Sequence, residues 1–234
     1  MVQGKIKKRI LFIIFWVLLI ASFIFSAFLI LLKANGYQLN YKNWKIVQTG
    51  MIILSGDPNL AQATLNGRKL GHLPLRLSNI TPGNYEAIVE QENYSLWKRT
   101  FRVEPGKATT FQNIILFLTQ AQDYSFKESS TIDGFKEEAA KYTQGVEISA
   151  AEIYYENQLV TRFSQNVLSA SLYPDRKHLI FQVANEIRVI ELDGGNNTLL
   201  FNINSQEPSV FNYRENGRAV LYLEQEQILG KTIR

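Results

Sequence analysis

The sequence predicts a mainly β protein hung from one N-terminal membrane helix. Three observations carry this: an unbroken apolar run over residues 10–32, short alternating runs punctuated by Gly, Pro and Asn from residue 49 onward, and an echo with a spacing of about 40 residues in the last third. The apolar run comes first. It holds no charge, and about 23 residues at about 1.5 Å rise span roughly 34 Å, enough to cross a hydrocarbon core of about 30 Å with some tilt. A cleaved signal peptide has a shorter apolar stretch of about 7–15 residues ending in a small-x-small site, whereas here Phe23, Phe25 and Phe28 separate the small residues. The run therefore reads as an uncleaved anchor. Lys5, Lys7, Lys8 and Arg9 precede it without any acid, so the positive-inside bias keeps residues 1–9 in the cytoplasm and exports the rest.

Charge and composition narrow the function classes. The chain has 25 Lys plus Arg against 21 Asp plus Glu, but four of the bases lie in the cytoplasmic tail, which leaves the exported part balanced. The excess is a topology signal, and no nucleic-acid face is expected. The absence of Cys removes disulfides, thiolate chemistry and Cys-ligated metals. The sequons at Asn79, Asn93 and Asn196 are chance matches in an Asn-rich chain.

After a juxtamembrane segment, 33–48, the β pattern begins. Met51-Ile52-Ile53-Leu54 ends at a turn with Pro58, and Ala63-Thr64-Leu65 leads into Asn66-Gly67, a dipeptide that accepts positive φ at both central hairpin positions. Gly71 and Pro74 bracket the next connection before Leu75-Arg76-Leu77. At the turn 81–84, Pro82 fixes φ and Gly83 is expected to take the left-handed conformation. Tyr85, Ala87 and Val89 then alternate with polar residues, as do Trp97, Arg99, Phe101 and Val103, and the run 110–118 closes the set. About six strands in so short a stretch favour a small β-sandwich, because a lone sheet would leave one apolar face wet.

These residues resemble the PEGA domain. The resemblance covers residues 49–118 and rests on Gly50, Pro58, Asn66, Gly67, Gly71, Pro74, Leu75, Pro82, Gly83, Tyr85, Tyr94 and Trp97, with His72-Leu73 and Asn93 as departures that leave the turn logic intact. It implies an exported, membrane-anchored protein of a prokaryotic envelope and a binding or adhesion module rather than a catalyst.

Residues 119–145 are polar and read as a linker with one short helix around Phe135 to Tyr142. The pair Glu137-Glu138 marks a solvated helix face, since adjacent helical side chains diverge. From 146 to 234 a second β region carries the echo: Tyr173 and Tyr213 stand 40 positions apart within similar strings, and a weaker third copy begins near Ile153. The string Y-P-D-R-K-H-L-I-F, with Pro174 in its turn, resembles the blades of TolB-type and WD-repeat propellers. About two blade-like units are expected, too few for a ring. Asp193-Gly194-Gly195 lacks the acids of a Ca²⁺ loop and reads as a hairpin turn centred on Gly194.

Enzymatic signals are missing. His72 and His178 are the only histidines, neither sits at a metal-ligand spacing, and no nucleophile elbow or phosphate loop occurs. The expected role is non-catalytic, without cofactor: binding of an envelope polysaccharide or envelope protein, or alternatively a structural place in an envelope complex. Tyr94 and Trp97 are the ligand-contact candidates, as aromatics able to stack on a sugar ring. The strand Val220-Leu221-Tyr222-Leu223, near the C-terminus, is expected to leave an open edge through which the chain self-associates.

Overall fold

The computed structural model of the protein describes residues 2–40, 44–126 and 131–234, and for residues 2–10 and 40 the backbone alone. Residues 41–43 of the juxtamembrane segment and 127–130 of the expected linker lie outside the described residues, as do the side chains of Lys5, Lys7, Lys8 and Arg9. Helix α1 (Val2–Ala34) covers the apolar run and extends N-terminal to it. Its segment Leu11–Ala34 is long and apolar enough to cross a membrane, and none of that segment is buried in protein. A positive φ at Gly36 ends the helix, and the chain continues into a two-stranded hairpin of β1 (Tyr37–Asn40) and β2 (Lys45–Gln48).

Seven strands follow: β3 (Gly50–Asp57), β4 (Gln62–Leu65), β5 (Arg68–His72), β6 (Leu75–Ile80), β7 (Gly83–Glu90), β8 (Trp97–Val103) and β9 (Ala108–Ile115). They form two sheets, ordered β6-β3-β9 and β5-β4-β7-β8. Each strand expected from alternation is present, and β3 buries Ile52 and Leu54 while Met51 and Ile53 are only half-buried. The β4–β5 hairpin closes through Asn66 and Gly67 at φ 48° and 76°, the conformation that the dipeptide favours. Gly71 is also at positive φ, and the peptides before Pro58 and Pro74 are cis.

Gly83 corrects an expectation. It opens β7 in a conformation outside the left-handed region, because the chain re-enters the sheet directly after Pro82. A Cβ there would meet nothing nearer than Tyr85 Cε2 at 3.8 Å. Gly83→Ala is therefore expected to leave the melting temperature nearly unchanged, whereas Gly67→Ala costs about 1 kcal/mol of backbone strain. Equal losses in thermal unfolding would contradict these turn conformations.

The C-terminal region holds three antiparallel sheets where the echo counts two units. The first is β11 (Val146–Ser149), β12 (Glu152–Tyr155) and β13 (Gln158–Arg162). The second is the meander β14 (Val167–Leu172), β15 (His178–Val183), β16 (Glu186–Glu191) and β17 (Thr198–Asn202). The third joins β18 (Phe211–Arg214), β19 (Ala219–Glu224) and β20 (Gln227–Thr232) to β10 (Gln122–Asp123), a strand supplied from upstream. One apolar core, with Ile153, Val160, Leu179 and Phe181, joins the first sheet to the second, and another, with Tyr173, Ile180, Tyr213 and Tyr222, joins the second to the third. Thus β15 is buried at every position, its two faces lying in two different cores. The far face of the third sheet is covered by α2 (Ile132–Ala139), through Phe135 packed with Leu221 and Ile228.

Two further expectations change here. Residues 119–145 are not simply a linker: Gln122 and Asp123 pair with Thr232 and Lys231, and Leu118 and Tyr124 donate backbone hydrogen bonds to Ile233 and Gly230. Its helix starts earlier than expected because Thr131 caps it, accepting a hydrogen bond from the Gly134 amide, and a 3₁₀ turn follows over Ala140–Tyr142. The strand Val220-Leu221-Tyr222-Leu223 is no edge. It lies inside β19 between β18 and β20, and β20 is itself covered by β10.

The chain divides into two compact units: Met1–Leu54 with Arg76–Tyr85 and Phe101–Phe111, and Ser55–Leu75 with Glu86–Thr100 and Gln112–Arg234.

Candidate functional site

Within the second unit the ligand-contact candidates have different fates. Trp97, the first residue of β8, is 3 % exposed. Its indole Nε1 donates to Glu191 Oε1 at 2.8 Å, so the ring is a packing element and not a platform for a ligand. Two residues on, Arg99 reaches the same place: its guanidinium pairs with Glu191 and with Asp193, whose Oδ2 lies at 2.5 Å. Burial disfavours the Arg99 cation, but the Asp193 hydrogen bond and the two carboxylate charges outweigh it and raise its pKa. Burial likewise opposes ionisation of Asp193, yet Arg99 and the Gly195 amide hold its carboxyl below the ordinary value. The turn that presents these acids is the expected hairpin turn, with Gly194 at φ 83°. Asn196 completes the junction by accepting the Lys98 amide and donating to Glu191.

Tyr94 is half-buried, and its backbone bridges to Leu118. It borders a recess of about 460 Å³ whose other walls include Gln91, Asn93, Thr119, Gln120 and Gln122. Amide side chains dominate this lining. Gln91 Oε1 is shielded from solvent there without a hydrogen-bond partner among the described residues. Asp123, next to Gln122 in β10, lines a second polar cleft, of about 560 Å³. In that cleft Asp123 pairs with Lys231 at 2.6 Å, and the nearly buried Glu224 accepts the Asn204 amide. Burial, aided by the Glu224 and Asp123 charges, pushes the Tyr222 phenol up to about 12. Both recesses thus offer neutral and ionised hydrogen-bonding groups beside aromatic rings, a lining suited to a polyhydroxylated ligand.

Pro174 stands in the β14–β15 turn, where Asp175 works as the organiser. Its Oδ1 accepts the Lys177 and His178 amides at 2.8 and 3.1 Å, and its Oδ2 lies 2.6 Å from His178 Nδ1. The His178 ring stands edge-on to Phe117 and Tyr173, which makes it a core residue. Burial alone would raise the Asp175 carboxyl, but the His178 hydrogen bond and charge and the two amides hold it below the ordinary range. A lowered folded pKa contributes stability above the unfolded value, about pH 4, that is lost as pH falls through the folded one. Asp175→Asn is therefore expected to cost about 1–3 kcal/mol at neutral pH. Denaturation series at falling pH should show the gap to the unmodified protein closing below about pH 4. A gap independent of pH would contradict the ionised-acceptor role.

Gln120, Gln122 and Asp123 read as linker in the sequence, and the Arg99–Glu191–Asp193 junction leaves no sequence signal because Arg99 stands 92 and 94 residues from the two acids.

The family model for the PEGA domain matches residues 49–115. That stretch is thus similar to PEGA domains, which suggests an extracellular module carried behind the apolar helix α1. No curated protein matches the chain.

Proposed function

We propose that the protein is a single-pass, N-in envelope protein that presents its PEGA-like region and three blade-like sheets outside the membrane and binds an envelope polysaccharide without catalysis. The observation that carries the binding role is the amide-rich recess beside Tyr94, lined by Gln91, Asn93, Gln120 and Gln122. Sugar hydroxyls are donors and acceptors at once, which suits Gln and Asn side chains, and a half-buried Tyr offers a ring edge or face for the C–H surface. The anchor reading is supported by the exposed apolar surface of α1 and by the bases before Ile10. The three sheets of the C-terminal region fit blades of an incomplete propeller, with α2 taking the place of a further blade against the third sheet. On the first sheet the outward side carries Glu152, paired with Tyr154 and Arg162, beside the exposed Leu159.

The experiment is capture of the detergent-solubilised chain on purified envelope polysaccharide, beside capture on envelope proteins, after protease treatment of intact spheroplasts has established which side the C-terminus faces. Polysaccharide should retain the protein, and Tyr94→Ala should weaken retention roughly tenfold, equivalent to about 1.4 kcal/mol. Retention by envelope protein alone, insensitive to Tyr94, would replace this reading with the assembly role. A protease-resistant C-terminus would remove the exported location.

A further inference from the structure

The hairpin of β1 and β2 leaves one face without cover. Antiparallel partners share a face, so the register Tyr37↔Gln48 and Leu39↔Ile46 puts Tyr37, Leu39 and Ile46 together beside the half-buried Gln48, while Gln38, Lys45 and the half-buried Val47 lie on the opposite face. The apolar trio is exposed to 37 %, 39 % and 59 %. Trp44, which leads into β2, is exposed to 77 % and held at φ 53°. A two-stranded hairpin alone is marginal in water, and this one spends its apolar residues on the outside.

The placement of this face says what covers it. The hairpin starts directly after α1: Asn35 and Gly36 donate to the Leu31 and Lys33 carbonyls, and the Gly36 carbonyl accepts both the amide and the hydroxyl of Thr49. Strand β1 thus leaves a capped helix end, and both ends of the hairpin are pinned at Gly36. Tyr37 follows Leu32, the last residue of the apolar run, by five positions, a reach of at most about 17 Å even if fully extended. The interfacial layer of a bilayer beyond the hydrocarbon is roughly 5–8 Å deep on each side, and Trp and Tyr favour it because their rings are apolar with a polar edge. Lys33 at the helix end supplies a cation at the level of lipid phosphates.

We propose that this hairpin is a membrane-surface anchor, laying Tyr37, Leu39, Trp44 and Ile46 into the headgroup layer of the bilayer that α1 crosses. Gln38 then faces water. The hairpin fixes the exit angle of the chain from the membrane, so that the exported region starts from a docked ribbon rather than a free tether. This inference rests on the anchor reading of α1, and its test separates the two.

Because the chain has no Cys, single replacements give unique labels. The full chain carrying Ile46→Cys, Gln38→Cys or Ser22→Cys is tagged with an environment-sensitive fluorophore and reconstituted in vesicles of mixed zwitterionic and anionic phospholipid. Iodide in the water and lipids with a headgroup nitroxide serve as quenchers. The label at position 46 should be quenched several-fold more by the nitroxide lipid than the label at 38, with the order reversed for iodide, and the label at 22 should be shielded from iodide. Equal quenching at 46 and 38, with 22 shielded, overturns the hairpin anchor and leaves the membrane helix standing. A label at 46 shielded from both quenchers assigns the face to protein, such as a second copy, and also overturns the proposal. Iodide access at 22 overturns the anchor reading and the hairpin with it.

Discussion

Gly217→Ala is expected to lower stability by about 3 kcal/mol, the sum of left-handed backbone strain and overpacking. Gly217 sits at φ 88° at the end of the turn after β18, and a Cβ would come within 2.4 Å of the Tyr173 hydroxyl and 2.5 Å of its Cζ. Tyr173 cannot step aside. It is fully buried, its ring is edge-on to Tyr213, and its hydroxyl donates to the Gly217 carbonyl at 2.7 Å. At roughly 2–4 °C per kcal/mol for a chain of this size, the midpoint should fall by about 6–12 °C. Gly67→Ala is the control, since Gly67 has a similar φ of 76° with nothing within 4 Å of its Cβ position. Its loss should stay near about 1 kcal/mol. If thermal unfolding of the two variants in detergent gave equal midpoints, the close approach of Tyr173 to the turn would be wrong.

The Tyr173–Gly217 contact also explains why the echo was legible. Tyr173, just past β14, and Tyr213, within β18, meet edge to face, with the Tyr213 hydroxyl also hydrogen-bonded to the Ser171 hydroxyl at 2.5 Å. The similar strings around Tyr173 and Tyr213 thus bring two tyrosines to one core between two sheets. Most PEGA-like strands were legible for a simpler reason: in strands such as β3 and β8 burial alternates along the chain, which imposes the period of two, and Pro, Asn and Gly mark the turns. The same logic fails at β15, where His178 to Val183 shows no alternation in burial because both faces are covered. It fails again at β10. Two polar residues carry no pattern of their own, and their strand character comes from the free edge of β20 that they pair with. The upstream strand covers the outer edge of β20, while the edge expected at Val220 to Leu223 is removed by β20 itself, and the additional sheet is β11 to β13. Gly83 shows a third kind of limit: a Pro-Gly pair announces a turn but not which residue carries the unusual dihedral, and here the strand resumes at the glycine itself.

Trp97→Ala is expected to cost about 3–5 kcal/mol, the range for truncating a buried aromatic. The reasoning separates packing from hydrogen bonding. Trp97 is buried at the start of β8, and removing the ring opens a cavity beside Glu191, whose side chain is itself 14 % exposed. Trp97→Phe keeps most of the volume but deletes the indole donor to Glu191 Oε1, and its expected cost is about 1–2 kcal/mol, because Arg99 and Asn196 still hold that carboxylate. Arg99→Ala should be worse than Trp97→Phe, since it leaves Glu191 without its cation in a partly buried site, at a cost of up to about 3 kcal/mol. The order Trp97→Ala, then Arg99→Ala, then Trp97→Phe, read from denaturant midpoints of the full chain, tests the junction as drawn. It also bears on how the region after α1 is organised. The partners of Trp97 and Arg99 lie at 191–196, so a fragment ending at residue 118 loses them, and Trp97→Ala should matter far less in such a fragment than in the whole chain. An equal loss in both would mean that β8 is stabilised within the PEGA-like region alone and that the contacts to Glu191 and Asp193 add nothing.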